Sequence, residues 1–87
     1  MSLIGGEIGQ LDNLQRSFGR HSASVDHLLS AMRSELDSAY WKGGAAERFR
    51  AAWAGEYEPA LRNLSAALVD AGAEVGRRNQ ALQQAGA

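Results

Sequence analysis

Ser38-Ala39-Tyr40-Trp41-Lys42-Gly43-Gly44-Ala45-Ala46-Glu47 stands at the middle of the 87-residue chain and divides it in two. Gly43-Gly44 is the one doubled glycine outside the N-terminal segment, where Gly5-Gly6 is the other. Adjacent glycines tolerate positive φ, so the pair suits a helix stop followed at once by a new start. Glu47 then falls in the first turn of the second segment, where the helix dipole favours negative charge.

Upstream of this turn a ladder repeats every seven residues through Ile4, Leu11, Phe18, Val25, Met32 and Ala39. A second ladder, four residues out of phase, runs through Ile8, Gln15, Ser22, Leu29 and Leu36, and Leu14 and Leu28 broaden the stripe. Steps of three and four are helical, since a strand needs a period of two. The spacing predicts a first helix over about residues 7–40, with Gly5, Gly6 and Gly9 weakening its start. Gly19 and Ser22 fall inside it; the favoured reading is a weak turn, the alternative a close approach of another helix.

Downstream, Leu61, Leu68, Val75 and Leu82 repeat every seven residues, with Tyr57, Leu64 and Ala71 as a companion row. This predicts a second helix over about residues 45–83 with a frayed tail, after a turn at 41–44. Pro59 interrupts it by removing a hydrogen bond to the carbonyl of Gly55, at a cost of about 3 kcal/mol. One bent helix is favoured over a break, because Glu58 is a poor cap for a new start.

Two long helices joined by a short connection make an antiparallel hairpin, a single all-α domain. Helices of 30–40 residues are about 45–60 Å long at 1.5 Å per residue. A lone pair of such rods meets along one seam and leaves much of each stripe wet. The spare face therefore calls for a second hairpin and a four-helix bundle made by two chains. The residues expected at that interface are Ile8, Leu11, Phe18, Val25, Leu29, Met32 and Leu36 from the first helix. Leu61, Leu64, Leu68 and Val75 complete it from the second.

Composition narrows the class further. Of 39 apolar residues 16 are alanine, which leaves 23 bulky ones, too few to waste an apolar face. Without cysteine there is neither a disulfide framework nor a thiolate zinc site. No apolar run approaches the 18 or more residues of a membrane span, so no stable membrane insertion is expected. The first ten residues lack a basic stretch followed by a long apolar one, so no cleavable signal peptide is read there. Nine basic against ten acidic residues give a net charge of −1, and no global field recruits nucleic acid. High apolar content and mixed charges also argue against disorder.

Nothing in the chain reads as catalytic. His21 and His27 are about 240° apart on a helix and cannot share a metal. The pairs Glu35 with Asp37 and Glu56 with Glu58 are two residues apart, so neither makes a facing acid and base. Gly43-Gly44 lacks the longer glycine pattern and the Lys-Ser or Lys-Thr of a phosphate loop. No cofactor is expected. Arg48, Arg50, Arg77 and Arg78 read as solvated helix surface. Trp41 has two compatible readings: a plug for the end of the bundle, and a partly exposed recognition surface shared with Tyr40 and the turn. Gly43 reads as a backbone requirement of that turn.

Two amphipathic helices flanking Trp41-Lys42-Gly43, in a cysteine-free chain of just under a hundred residues, resemble the Trp-x-Gly (WXG, ESAT-like) family of type VII secretion. Gly44, Ala45 and Ala46 after the turn, and the aromatics Phe49 and Trp53 on the second helix, extend the resemblance. It implies a non-enzymatic protein that pairs with a second WXG-family protein and is secreted, without a cleaved signal peptide, through a translocase ATPase. The resemblance also implies a C-terminal Tyr-x-x-x-Asp or Glu export motif on one partner, beside the Trp-x-Gly turn of the other. Here the last tyrosine is Tyr57, well before the tail, so the expected role is that of the partner contributing Trp41, Gly43 and Tyr40. A homodimer and a cytosolic helical adaptor stand as alternatives. Alanine and arginine richness with a single lysine suits an actinobacterial source.

Overall fold

The computed structural model describes residues 2–86, with side chains over residues 7–85; the Ile4 side chain and Ala87 lie outside that description. It is an antiparallel helical hairpin. Helix α1 spans Ser2–Ser38, residues 39–43 form the connection, and α2 spans Gly44–Ala52. A π-helical turn, Trp53–Tyr57, leads directly into α3, Glu58–Gly86. No strand occurs among the described residues.

The helix bounds differ from the periodicity at each end. Helix α1 starts at Ser2 rather than near residue 7, because extending an existing helix is far easier than nucleating one, even through glycine. It stops at Ser38, two residues before Tyr40, and α3 continues through Gly86 instead of fraying from Gln83. The helical run does not break at Pro59. The turn before it widens, and the Glu58 N–H bonds to the Trp53 carbonyl, five residues back. A π turn takes up one residue more than an α turn, so it absorbs the proline while the rod stays continuous.

The hairpin measures 65 × 18 × 12 Å, with a radius of gyration of 19.4 Å. A compact chain of this length would have a radius near 12 Å. The rod has almost no interior. Leu29 and Ala46 are the buried hydrophobic residues among those described, and the other buried positions include Ser22, Glu58, Ser65 and Asn79.

Those polar positions form a pattern. Glu58, Ser65, Gly72 and Asn79 are all buried and recur every seven residues along α3. They face the α1 row that holds Gln15, Ser22 and Leu29. The Ser22 and Ser65 hydroxyls lie 2.8 Å apart, within 3.1 and 3.3 Å of each other's helix carbonyls. At Gly72 a Cβ would sit 3.2 Å from the Phe18 Cβ and 3.6 Å from the Gln15 carbonyl, so a side chain there would push Phe18 aside by a few tenths of an ångström. Asn79 donates to Asp12 at 2.9 Å, yet its own Oδ1 is buried without a partner, at a cost of about 1–3 kcal/mol. Ser22 is thus a point of close approach and not a weak turn; Gly19 has open space around it.

Near the closed end, Arg33 and Arg62 both bond the Glu58 carboxylate, Arg33 Nε at 2.9 Å and Arg62 at 2.5 Å. The Arg33 bond holds the Glu58 carboxyl below the usual carboxylate range; burial opposes this, and the Arg33 and Arg62 charges add to it. A depressed folded pKa means stability that is complete above the unfolded value and disappears as pH falls through the folded one. The melting temperature is therefore expected to drop on acidification below about pH 4.3. Glu58→Gln should flatten that part of the profile, which calorimetry across pH 3–7 would read.

Candidate functional site

Two features of the hairpin bear on function: the closed tip, and one long side. At the tip, Gly43 has φ 108° and ψ 178°, a conformation that a Cβ essentially excludes. It allows the Gly43 carbonyl to accept the Glu47 N–H at 3.0 Å and start α2 without any side-chain cap. The Ala39 N–H closes the last turn of α1 on Glu35, and the Trp41 N–H bonds back to the Ala39 carbonyl, both at 3.0 Å. Gly43→Ala is expected to destabilise by about 1–3 kcal/mol through the backbone alone, since space around it is open. Gly44→Ala meets only the flexible end of Arg48 at 3.1 Å and should cost far less. Urea unfolding of the two variants tests the contrast.

Trp41 is 45% exposed, so its indole is both a packing group and a surface. Its ring centroid lies 5.7 Å from that of Phe49, and Tyr57 continues the series at 6.3 Å from both Phe49 and Trp53. Tyr40 projects almost fully into solvent, 92% exposed, with the Lys42 ammonium 5.5 Å from its ring centroid. Tyr40, Trp41 and Gly43 thus share one short loop.

Arg50 departs from the expectation of solvated surface. Its Nη1 donates to the Trp41 carbonyl at 2.8 Å. Its Nη2 reaches the Leu36 and Ala39 carbonyls at 3.2 and 3.3 Å, and the guanidinium carbon stands 6.0 Å from the Trp41 ring centroid. Carbonyls in the last turn of a helix lack intrahelical partners, and Arg50 takes up that of Leu36 together with those of Ala39 and Trp41 in the connection. Spacing alone gave no sign of this, because Arg50 sits nine residues from Trp41 across a turn. Arg77 and Arg78 do lie on exposed surface, bonding Glu74 and holding its carboxyl below the usual range.

Along the rod, apolar side chains gather on one side of the buried seam. Leu11, Phe18, Val25 and Met32 follow the α1 contact row by three residues, and Leu61, Leu68, Val75 and Leu82 follow the α3 row by three. All eight are half-buried. In an antiparallel pair, equal offsets from the contact row fall on the same side, so the two rows make one continuous face. Leu14 and Leu28, with Tyr57 and Leu64, each precede a contact row by one and are exposed at its edges. Leu29 alone of the expected interface residues is buried in the seam; Ile8 and Leu36 share its row and are half-buried. The opposite side carries Asp12, Asp26, Arg33, Arg62 and Gln83, with exposed Val69 as its exception.

Among the described residues no group of three or more His, Asp or Glu is placed to hold a metal, and no helix is long and apolar enough to cross a membrane. No curated protein and no solved structure shows significant similarity to the chain. A family model described as proteins of 100 residues with WXG matches residues 6–87. With Trp41-Lys42-Gly43 at the tip of a two-helix hairpin and the match running nearly end to end, the chain belongs to the WXG100 family, whose members are small helical substrates of type VII secretion.

Proposed function

We propose that this chain is a non-enzymatic half of a heterodimer, exported by type VII secretion with a second WXG-family protein. The observation that carries the reading is the single apolar side of a rod with almost no core. The chain exposes 6259 Å². A compact protein of its mass would expose roughly 5,000 Å². The excess of roughly 1,300 Å² exceeds the ~800 Å² that each partner contributes to a stable interface. A second hairpin laid on the Leu11–Met32 and Leu61–Leu82 rows would supply the missing core, and the result is a four-helix bundle. Ile8, Leu36, Leu64 and Leu29 would border or underlie that contact.

In this reading Tyr40, Trp41 and Gly43 form the tip that the translocase ATPase meets, alongside an export motif on the partner's tail. The mate would be a hundred-residue Trp-x-Gly protein with a Tyr-x-x-x-Asp or Glu tail, and the neighbouring reading frame is the place to look for it. Low helicity of the chain alone, restored by that product in a 1:1 complex, supports the heterodimer; a fully helical dimer of the chain by itself favours the homodimer instead. Trp41→Ala is expected to leave the pair assembled while reducing export from a secretion-competent host at least about tenfold, a loss of about 1.4 kcal/mol in recognition. Loss of assembly would make Trp41 structural. Retention of all wild-type chain in the cytosol would overturn export and leave the adaptor.

A further inference from the structure

We propose that Arg50 is the positioning residue of the Trp41 turn, and that the π turn before Pro59 is what aims it there. The inference rests on the proposed reading of that turn as the export contact. The guanidinium spans three backbone carbonyls, of Leu36, Ala39 and Trp41, at 2.8–3.3 Å, and lies against the indole whose backbone it holds. It is the side-chain donor from α2 to the end of α1 and the connection among the described hydrogen bonds. A planar fork with several donors suits this bridge, whereas an ammonium is a point charge.

Register explains how Arg50 arrives. The α3 contact row, read backwards from Glu58 in steps of seven, reaches position 51, which is an exposed alanine. The π turn at Trp53–Tyr57 adds one residue, and an extra residue turns the preceding helix by about 100°. The contact row therefore passes through position 50. Half-buried Arg50 faces Leu36, itself in the α1 contact row, and the short α2 helix presents its arginine to the turn. Arg48, two residues earlier on the same helix, makes no such bond among the described contacts.

The test uses the full chain, isolated from its secretion-competent host with whatever it pairs with, as wild type, Arg50→Gln, Arg50→Lys and Trp41→Ala. Hydrogen exchange read by mass spectrometry on a peptide covering residues 36–48 reports the turn, because the Ala39, Trp41 and Glu47 amides are bonded within it. Peptides over residues 20–30 and 60–75 report the rods. Both Arg50 variants should speed exchange at the turn at least about tenfold, leave the rods unchanged and lower export by a similar factor. Arg50→Lys separates charge from bridging. Normal export and a protected turn in that variant would overturn the positioning role, as would a protected turn in Arg50→Gln. Should an Arg50 variant loosen the rods as well, Pro59→Ala supplies the second test, since it leaves the arginine intact and removes the cause of its register. Pro59→Ala is expected to loosen the turn selectively, and an unchanged turn would overturn the proposal. If Trp41→Ala exports normally, the export reading fails, while exchange at the turn still judges Arg50.

Discussion

Leu28→Glu combined with Leu64→Glu is expected to weaken assembly by at least a hundredfold. Both leucines are about half exposed, at 49% and 47%, on the edges of the apolar side. In the isolated hairpin, glutamate at either position would remain in water and cost little. Glutamate is also a good helix former, so the rods lose nothing locally. Covered by a second hairpin, each carboxylate would be desolvated without a partner, a penalty of several kcal/mol in real proteins. Even one such penalty of about 3 kcal/mol is more than a hundredfold in affinity. Sedimentation or titration calorimetry against the partner measures it, with Val69→Glu on the opposite side as the control. Equal affinities for the double variant and the wild type would move the interface elsewhere.

The second large effect concerns stability. Leu29→Ala is expected to cost about 2–5 kcal/mol and Phe18→Ala about 3–5 kcal/mol in the assembled state. Leu29 is the one large hydrophobic side chain among those buried in the seam, so nothing nearby is available to refill its place. Phe18 combines two contacts: its Cβ sits beside Gly72, and its ring is half-buried on the apolar side. Removing it affects the seam and the face together. For a domain of this size each kcal/mol moves the melting point by roughly 4–8 °C, so a fall of at least about 10 °C should be visible by circular dichroism. Near-neutral behaviour of both would mean that the seam is held by its polar pairs.

The hairpin was legible because its two signals are local. Heptad steps from Ile8 to Leu36 and from Leu61 to Leu82 define amphipathic rods, and Gly43-Gly44 ends one and begins the next. What the sequence concealed is which face of each rod meets the other. Hydrophobicity points to the Leu61, Leu68 and Val75 row, yet the row in contact is Glu58, Ser65, Gly72 and Asn79. Small and polar residues win there because close helix approach rewards short side chains and paired hydroxyls, as at Ser22 with Ser65. The row was present in the spacing, but its residue types carry no hydrophobic signal. Within the candidate site, Trp41 and Gly43 stand out by type, whereas Arg50 does not. Its role depends on a register shift of one residue, and propensity reasoning at Pro59 anticipates disruption without specifying a π turn.

The widened turn at Trp53–Tyr57 also has a meaning in terms of chain length. It works as an insertion already accommodated: the stretch holds one residue more than two straight helical segments need to keep both Arg50 and Glu58 toward α1. A chain lacking Gly55, with alanine in place of Pro59, would run as an unbroken α-helix and keep those two residues on the same face. Loss of a single residue anywhere in α3 would instead rotate everything on one side of the gap by about 100°. Residues 53–57 are therefore where this rod tolerates a change of length, and related chains of slightly different size could differ there without altering which surfaces they present.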